Sequence, residues 1–141
     1  MRLEIGYQGI IEVREAHINP AIPNGFTLLY LSDLHLNRFS ARLIHNIMAI
    51  IERSDPDLIL LGGDYLDSRK GVPHLTALLQ YLQARQNVLA IAGNHDYFYG
   101  IDGIRNLLAQ HGVQWIEKSS AICNIKGCKV QIDNVLQPSE T

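Results

Sequence analysis

Three short stretches of the chain gather side chains able to hold a cation. "SDLH" places Asp33 and His35 two residues apart, "GGDYLD" supplies Asp64 and Asp67, and "GNHD" sets Asn94, His95 and Asp96 in a row. Carboxylate oxygens, an imidazole nitrogen and an amide oxygen are hard or borderline donors, with no thiolate among them. Such a set suits Mn2+, Fe2+ or Zn2+ better than a soft metal. Several carboxylates in one crevice repel one another and lose solvation, and divalent cations remove that penalty. On an extended segment Asp33 and His35 point the same way. Asp64 follows paired glycines, which let the backbone come close to a metal. Its two carboxylate oxygens could bridge two ions about 3.5–4 Å apart, the usual spacing of hydrolytic two-metal sites.

Each stretch has a plainer explanation when taken singly. A lone Asp after a strand is most often a helix cap, a lone Gly-Asp is most often a turn, and His35 alone would more often be structural. That explanation has to hold three times over, because all three stretches close an apolar run. "FTLLYLSD", "DPDLILLGGD" and "NVLAIAGN" read as buried strands. Between and after them, "ARLIHNIMAIIERS" places Leu43, Ile47, Ile50 and Ile51 on one helical face. "PHLTALLQYLQAR" carries Leu75, Leu78, Leu79 and Leu82 behind Pro73, and "IDGIRNLLAQHG" repeats the stripe with Ile104, Leu107 and Leu108 before Gly112. Strand and helix in alternation predict an α/β fold, a mostly parallel sheet flanked by helices and buried on both sides. In a parallel sheet the carboxyl ends of the strands share one edge, where open α/β sheets bind ligands. The three stretches should therefore converge. "VQWIEKSS" reads as a further short strand, "AICNIKG" and "CKVQID" as a hairpin turning at Lys126-Gly127, and "IIEVREAHI" as an edge strand.

With 141 residues and 47% apolar content, the chain has the size and composition of one globular domain. A net charge of −2 implies no broad basic face for nucleic acid. No apolar run is long enough to span a bilayer. Glu4, Glu12 and Glu15 near the N-terminus argue against an ordinary signal peptide, so a cytoplasmic location is expected, with peripheral contact to the inner membrane left open. Cys123 and Cys128 read as small apolar hairpin residues in a reducing compartment, since no second pair follows to complete a zinc site. Of the other histidines, His17 is expected at the surface, His45 partly buried, His74 near a helix start and His111 in a last helical turn.

The ordered set "DLH", "GDYLD" and "GNHD" resembles the calcineurin-like metallophosphoesterase family, whose pattern is D-x-H, then G-D-x-x-D, then G-N-H-[DE]. "LSDLHL" and "GNHDYF" are closer to its small bacterial phosphodiesterase branch. The resemblance covers roughly residues 26–112. It implies that two divalent metal ions are bound, the first by Asp33 and His35 and the second by Asn94, with Asp64 bridging both. It implies that His95 sits beside the phosphate as a catalytic residue and that Asp67 hydrogen-bonds His95 and holds its orientation. The ions would lower the pKa of water so that hydroxide is available near neutral pH to attack a phosphodiester, phosphomonoester or pyrophosphate. A phosphate-ester small molecule or a lipid-linked molecule is the implied substrate.

Two departures matter. Where the phosphoprotein phosphatase branch has Gly after D-x-H and Arg after G-D-x-x-D, Leu36 and Ser68 stand here, with Arg69 one position later. The family also completes its metal shells with histidines after G-N-H-[DE], including a G-H-x-H loop, and only His111 follows His95 here. Four side chains, one of them bridging, give about five bonds, and two ions need about twice as many. The expectation is thus a single domain over residues 1–141 that forms the N-terminal half of the family's β-sandwich with helices outside, truncated and weak or inactive. The alternative is a non-catalytic remnant or binding module of the same fold. An incomplete sandwich would expose apolar sheet and favour self-association.

Overall fold

The computed structural model describes residues 25–97, 100–116 and 120–133 together with the backbone of 2–5 and 14–16; at Asn94 and His95 it describes the backbone alone. The strands are β1 (Arg2–Ile5), β2 (Arg14–Ala16), β3 (Leu28–Leu31), β4 (Leu58–Leu61), β5 (Val88–Ala90), β6 (Gln114–Trp115), β7 (Ser120–Ile125) and β8 (Cys128–Asp133). The helices are α1 (Ala41–Ser54), α2 (Val72–Leu82) and α3 (Ile101–Gln110). One sheet runs in the order β2-β1-β3-β4-β5-β6. Every neighbouring pair from β1 to β6 is parallel, and β2 closes the edge antiparallel to β1. The expected edge strand is therefore present as β2, and β1, which has no periodic signal of its own, lies between it and β3.

Alternation within the strands decides which layer covers which face. Leu29, Leu31, Ile59, Leu61, Val88 and Ala90 lie in register on one face and pack in a single cluster with residues of all three helices. Ile44, Ile47, Ile50 and Ile51 of α1 join it, as do Leu75, Leu78, Leu79 and Leu82 of α2 and Ile104 and Leu108 of α3. Leu58 and Leu89 face the other way and meet Ala121, Cys123 and Ile125 of the β7–β8 hairpin. The strands are buried on both sides as their composition requires, but by different layers: helices on one face and the hairpin on the other. Cover on the hairpin face is partial. A cavity of about 270 Å³ remains between Tyr30, Leu60, Leu89 and Ile91 of the sheet side and Ile132 of β8.

The ends of the elements follow local chemistry. α1 stops where Asp55 enters the left-handed region at φ 42° and its N–H bonds the Ile51 carbonyl. Lys126 (φ 50°) and Gly127 (φ 79°) make a two-residue hairpin turn with both central residues left-handed, the geometry whose twist matches the flanking strands. Cys123 and Cys128 are free thiols, and burial pushes the Cys123 thiol up.

Candidate functional site

The loops that leave β3 and β4 remain zipped together after the strands end. The Gly62 N–H bonds the Leu31 carbonyl (2.6 Å), Asp33 N–H the Gly63 carbonyl (3.1 Å), His35 N–H the Asp64 carbonyl (3.0 Å) and Leu36 N–H the Tyr65 carbonyl (2.8 Å). An isolated parallel bridge, Leu36 to Leu66, finishes the run. The same backbone segments carry Asp33, His35 and Asp64, so main-chain bonds fix where these side chains start. All three residues hold positive φ, at 57°, 45° and 53°. The left-handed region costs a non-glycine residue about 1–3 kcal/mol, and such strain persists only where the surroundings impose it.

The chain has a specific device for imposing it. Asp96 is 1% exposed, yet its carboxylate meets no cation among the described residues. It accepts three backbone N–H groups instead: from Asp64 (2.9 Å) and Gly93 (2.7 Å) on one oxygen, and from Tyr65 (3.0 Å) on the other. The turn after β5 is thereby tied to the turn after β4. The two glycines in these turns make the approach possible. A Cβ on Gly63 would fall 2.1 Å from the Gly93 nitrogen, and one on Gly93 would fall 2.3 Å from Asp64 Oδ1. Tyr65 is fully buried beneath them, and its hydroxyl donates to the Ile91 carbonyl (2.7 Å). Burial, and then the Asp96 carboxylate, push its phenol well above the usual range.

This framework brings Asp33, His35 and Asp64 together. One ligand atom from each lies within 4.8 Å of the others. Ligands sharing one ion at about 2.0–2.2 Å sit roughly 3–4 Å apart, so a small closure would seat a cation among them. Two carboxylates and an imidazole are a fitting donor set for a divalent ion. The His35 ring is oriented to serve as a ligand, since its Nδ1 lies 2.6 Å from Asp67 Oδ1 while its Nε2 faces Asp33 Oδ1 at 3.9 Å. A carboxylate on Nδ1 places the ring proton there and leaves the Nε2 lone pair for the ion, the usual outer partner of a metal-binding histidine. Ser32 Oγ donates to the other Asp33 oxygen at 2.8 Å.

Asn94 and His95 begin a short 3-10 turn (Asn94–Tyr97) directly after Gly93, beside Asp64. Their side chains, and with them the expected contact of Asp67 with His95, lie outside the described residues. Sequence reasoning counted Asp96 only among the cation-type donors, not as the main-chain anchor it is, and did not foresee the contact of Asp67 with His35. The available signal was an acid directly after a glycine turn, where main-chain donors lack strand partners. Of the other histidines, His45 is exposed rather than partly buried, since its position on α1 turns away from the sheet. His74 Nε2 bonds the Arg38 carbonyl (3.3 Å) and His111 Nδ1 the Leu107 carbonyl (2.8 Å). His17 lies outside the described residues.

A family model for calcineurin-like phosphoesterases matches residues 26–134, a span that contains the whole of this cluster. The chain belongs to the calcineurin-like phosphoesterase family. Phosphodiesterase YaeI of Escherichia coli is 39% identical over 74 residues, 50% of this chain and 27% of that protein. The uncharacterized metallophosphoesterase YkoQ of Bacillus subtilis is 36% identical over 73 residues, again 50% of this chain and 27% of the relative. An uncharacterized metallophosphoesterase of Aquifex aeolicus is 25% identical over 119 residues, 82% of this chain and 42% of its own length. The chain thus spans less than half the length of each of these relatives. No solved structure gives a significant match. Calcineurin-like phosphoesterases use divalent metals, which agrees with the donor set found here. No helix among the described residues is long and apolar enough to cross a membrane.

Proposed function

We propose that this chain carries the first half of a two-metal phosphoesterase site, acting on a phosphodiester, phosphomonoester or pyrophosphate. The observation that carries the reading is the convergence of Asp33, His35 and Asp64 from two separate strand ends onto one point. In this reading Asp33 and His35 would hold one cation, Asn94 would hold a second, and Asp64 would serve both. The cations supply charge neutralisation and a water acidic enough to lose its proton near neutral pH. Asp67 keeps the His35 Nε2 lone pair aimed at the ion. His95 would sit beside the phosphate, stabilising its developing charge or protonating the leaving oxygen. Asp96 holds the Asp64 turn in place. The substrate is a phosphate-ester small molecule or a lipid-linked one.

The donors present fill about half of two coordination shells, so weak ion binding and slow turnover are expected of the 141-residue chain. The test is calorimetric titration with Mn2+ together with hydrolysis of bis-p-nitrophenyl phosphate, on the parent and on Asp64→Asn. Weak binding that Asp64→Asn abolishes supports the proposal; binding unaffected by Asp64→Asn overturns it. Hydrolysis at a normal enzymatic rate, lost in His95→Ala, would overturn the expectation of a half-complete site. The same donor shortfall favours a second reading, a non-catalytic module of the same fold. Binding of two ions at sub-micromolar concentration would reject that reading, and one ion at millimolar concentration with no hydrolysis would support it.

A further inference from the structure

Beside the metal crevice, two loops present a group of exposed cations. The turn after β3 carries Arg38 and leads into Arg42 in the first turn of α1. Arg69 and Lys70 form the 3-10 turn that opens α2. The two segments are in contact: the Ser68 N–H reaches the Leu36 carbonyl (3.4 Å), His74 bonds the Arg38 carbonyl (3.3 Å), and a Cβ on Gly71 would meet the Leu36 oxygen at 2.2 Å. Residues 37–42 and 68–74 contain no acid at all, in a chain whose Asp and Glu outnumber its Lys and Arg, 14 to 12.

The four cations are exposed, and none has a carboxylate partner among the described residues. Elsewhere Arg85 pairs with Asp55, Arg105 with Asp102 and Lys126 with Asp57, while Arg53, in the last turn of α1, and Lys129, on β8, are exposed with no carboxylate partner among the described residues. The placement also runs against local preference. The first turns of α1 and α2 hold no acidic residue, although the positive end of a helix favours one. At the tip of the same turn stands Phe39, 76% exposed, with the Arg38 guanidinium 4.5 Å from its ring centre. Tyr97, 65% exposed, lies on the loop after β5 at the same edge of the sheet.

We infer that this rim docks on the surface of an anionic phospholipid bilayer. The combination selects the partner. Cations spread over two adjoining loops suit a sheet of negative headgroups, and an exposed aromatic ring suits the boundary between headgroup and acyl chain. A soluble anion would call for a pocket that gathers several cations, and the cavity that Arg69 lines with Leu66, Ile104 and Gln110 holds no second one. A single nucleic-acid strand would call for a row of open aromatic faces on which bases stack, whereas here one face of Phe39 is covered by Arg38 and Tyr97 stands on a different loop. The inference needs neither bound metal nor turnover, so it stands or falls apart from the phosphoesterase reading.

The test is co-sedimentation of the 141-residue chain with vesicles at low salt, of phosphatidylcholine alone or with roughly a third phosphatidylglycerol. Binding is expected on the anionic vesicles only and should weaken with added salt. Each of Arg38→Gln, Arg42→Gln, Arg69→Gln and Lys70→Gln should lower the partition coefficient about fivefold. Phe39→Ser should lower it further. The pair Arg53→Gln with Lys129→Gln alters net charge at exposed sites elsewhere on the molecule and should leave binding within about twofold. The inference is overturned by equal binding to both vesicle types, by no binding to the anionic ones, or by the control pair losing as much as two rim variants. Displacement by a single-stranded oligonucleotide at equal phosphate concentration would overturn it as well. Far-UV circular dichroism of each variant separates a lost surface from a lost fold.

Discussion

Replacing Asp96 tests whether the site is built from main-chain anchors. The carboxylate is 1% exposed and accepts from Asp64, Tyr65 and Gly93. In Asp96→Ala three N–H groups lose their acceptor in a largely dry place. An unsatisfied buried donor costs about 1–3 kcal/mol, so the simple sum is about 3–9 kcal/mol. The three share one acceptor and the loop will relax, so the lower part of that range applies, about 4 kcal/mol. Asp96→Asn keeps one acceptor oxygen. Turned toward Asp64 and Gly93, that oxygen satisfies two donors, while the new amide group opposes the Tyr65 N–H. A loss of about 2 kcal/mol is expected for it. Against a total stability of about 5–15 kcal/mol, both losses should be plain in urea unfolding, as a lower midpoint at unchanged slope. The variants should also weaken Mn2+ binding, because Asp64 would leave its strained turn. If Asp96→Ala unfolds within about 1 kcal/mol of the parent, the anchoring argument fails.

Three further outcomes follow from the same geometry. Gly93→Ala drives a methyl group into the Asp64 carboxylate at 2.3 Å and should destabilise the fold by at least about 2 kcal/mol, whereas Gly103→Ala, inside α3 with nothing within 4 Å, should stabilise it by roughly 0.5–1 kcal/mol; thermal unfolding of the two variants checks the opposite signs. Asp67→Ala removes the carboxylate that meets His35 Nδ1 and should weaken Mn2+ binding about 10–100-fold, read by calorimetry; unchanged affinity would mean the pairing does not orient the ligand. The phenol of Tyr65 titrates higher in the folded chain than its usual value of 10.0, so above about pH 10 the unfolded chain releases a proton that the folded chain keeps, and stability falls as pH rises. Below that pH the group has no effect. Tyr65→Phe should flatten this alkaline decline while lowering stability at neutral pH by about 1 kcal/mol through loss of the bond to Ile91; an equally steep decline in the variant would refute it.

The helices were legible because their apolar stripes are long and one-sided. "ARLIHNIMAIIERS" coincides with α1, and the hairpin turn at Lys126-Gly127 falls between β7 and β8 as read. The strands were legible as apolar runs but not in their limits. The run over residues 26–33 narrows to Leu28–Leu31 because the backbone leaves the pleat before Asp33 turns left-handed, and residues 55–64 narrow to Leu58–Leu61 for the same reason before Asp64. That one edge would gather Asp33, His35 and Asp64 followed from parallel topology alone. Asp96 did not follow, because its partners are main-chain N–H groups, which carry no letter in a sequence. Nor did the contact of Asp67 with His35, which depends on how two loops are zipped in register. The sharing of the two sheet faces between helices and hairpin was likewise hidden, since an apolar strand reads the same whichever layer covers it.

Because hydrogen bonds between Leu31–Leu36 and Gly62–Tyr65 set the positions of Asp33, His35 and Asp64, ordering these ligands belongs to folding and not to ion capture. Mild warming that frays those loops should therefore release a bound cation while the helical layer remains intact. Ion occupancy would then report on local melting of the sheet's upper edge before any global transition.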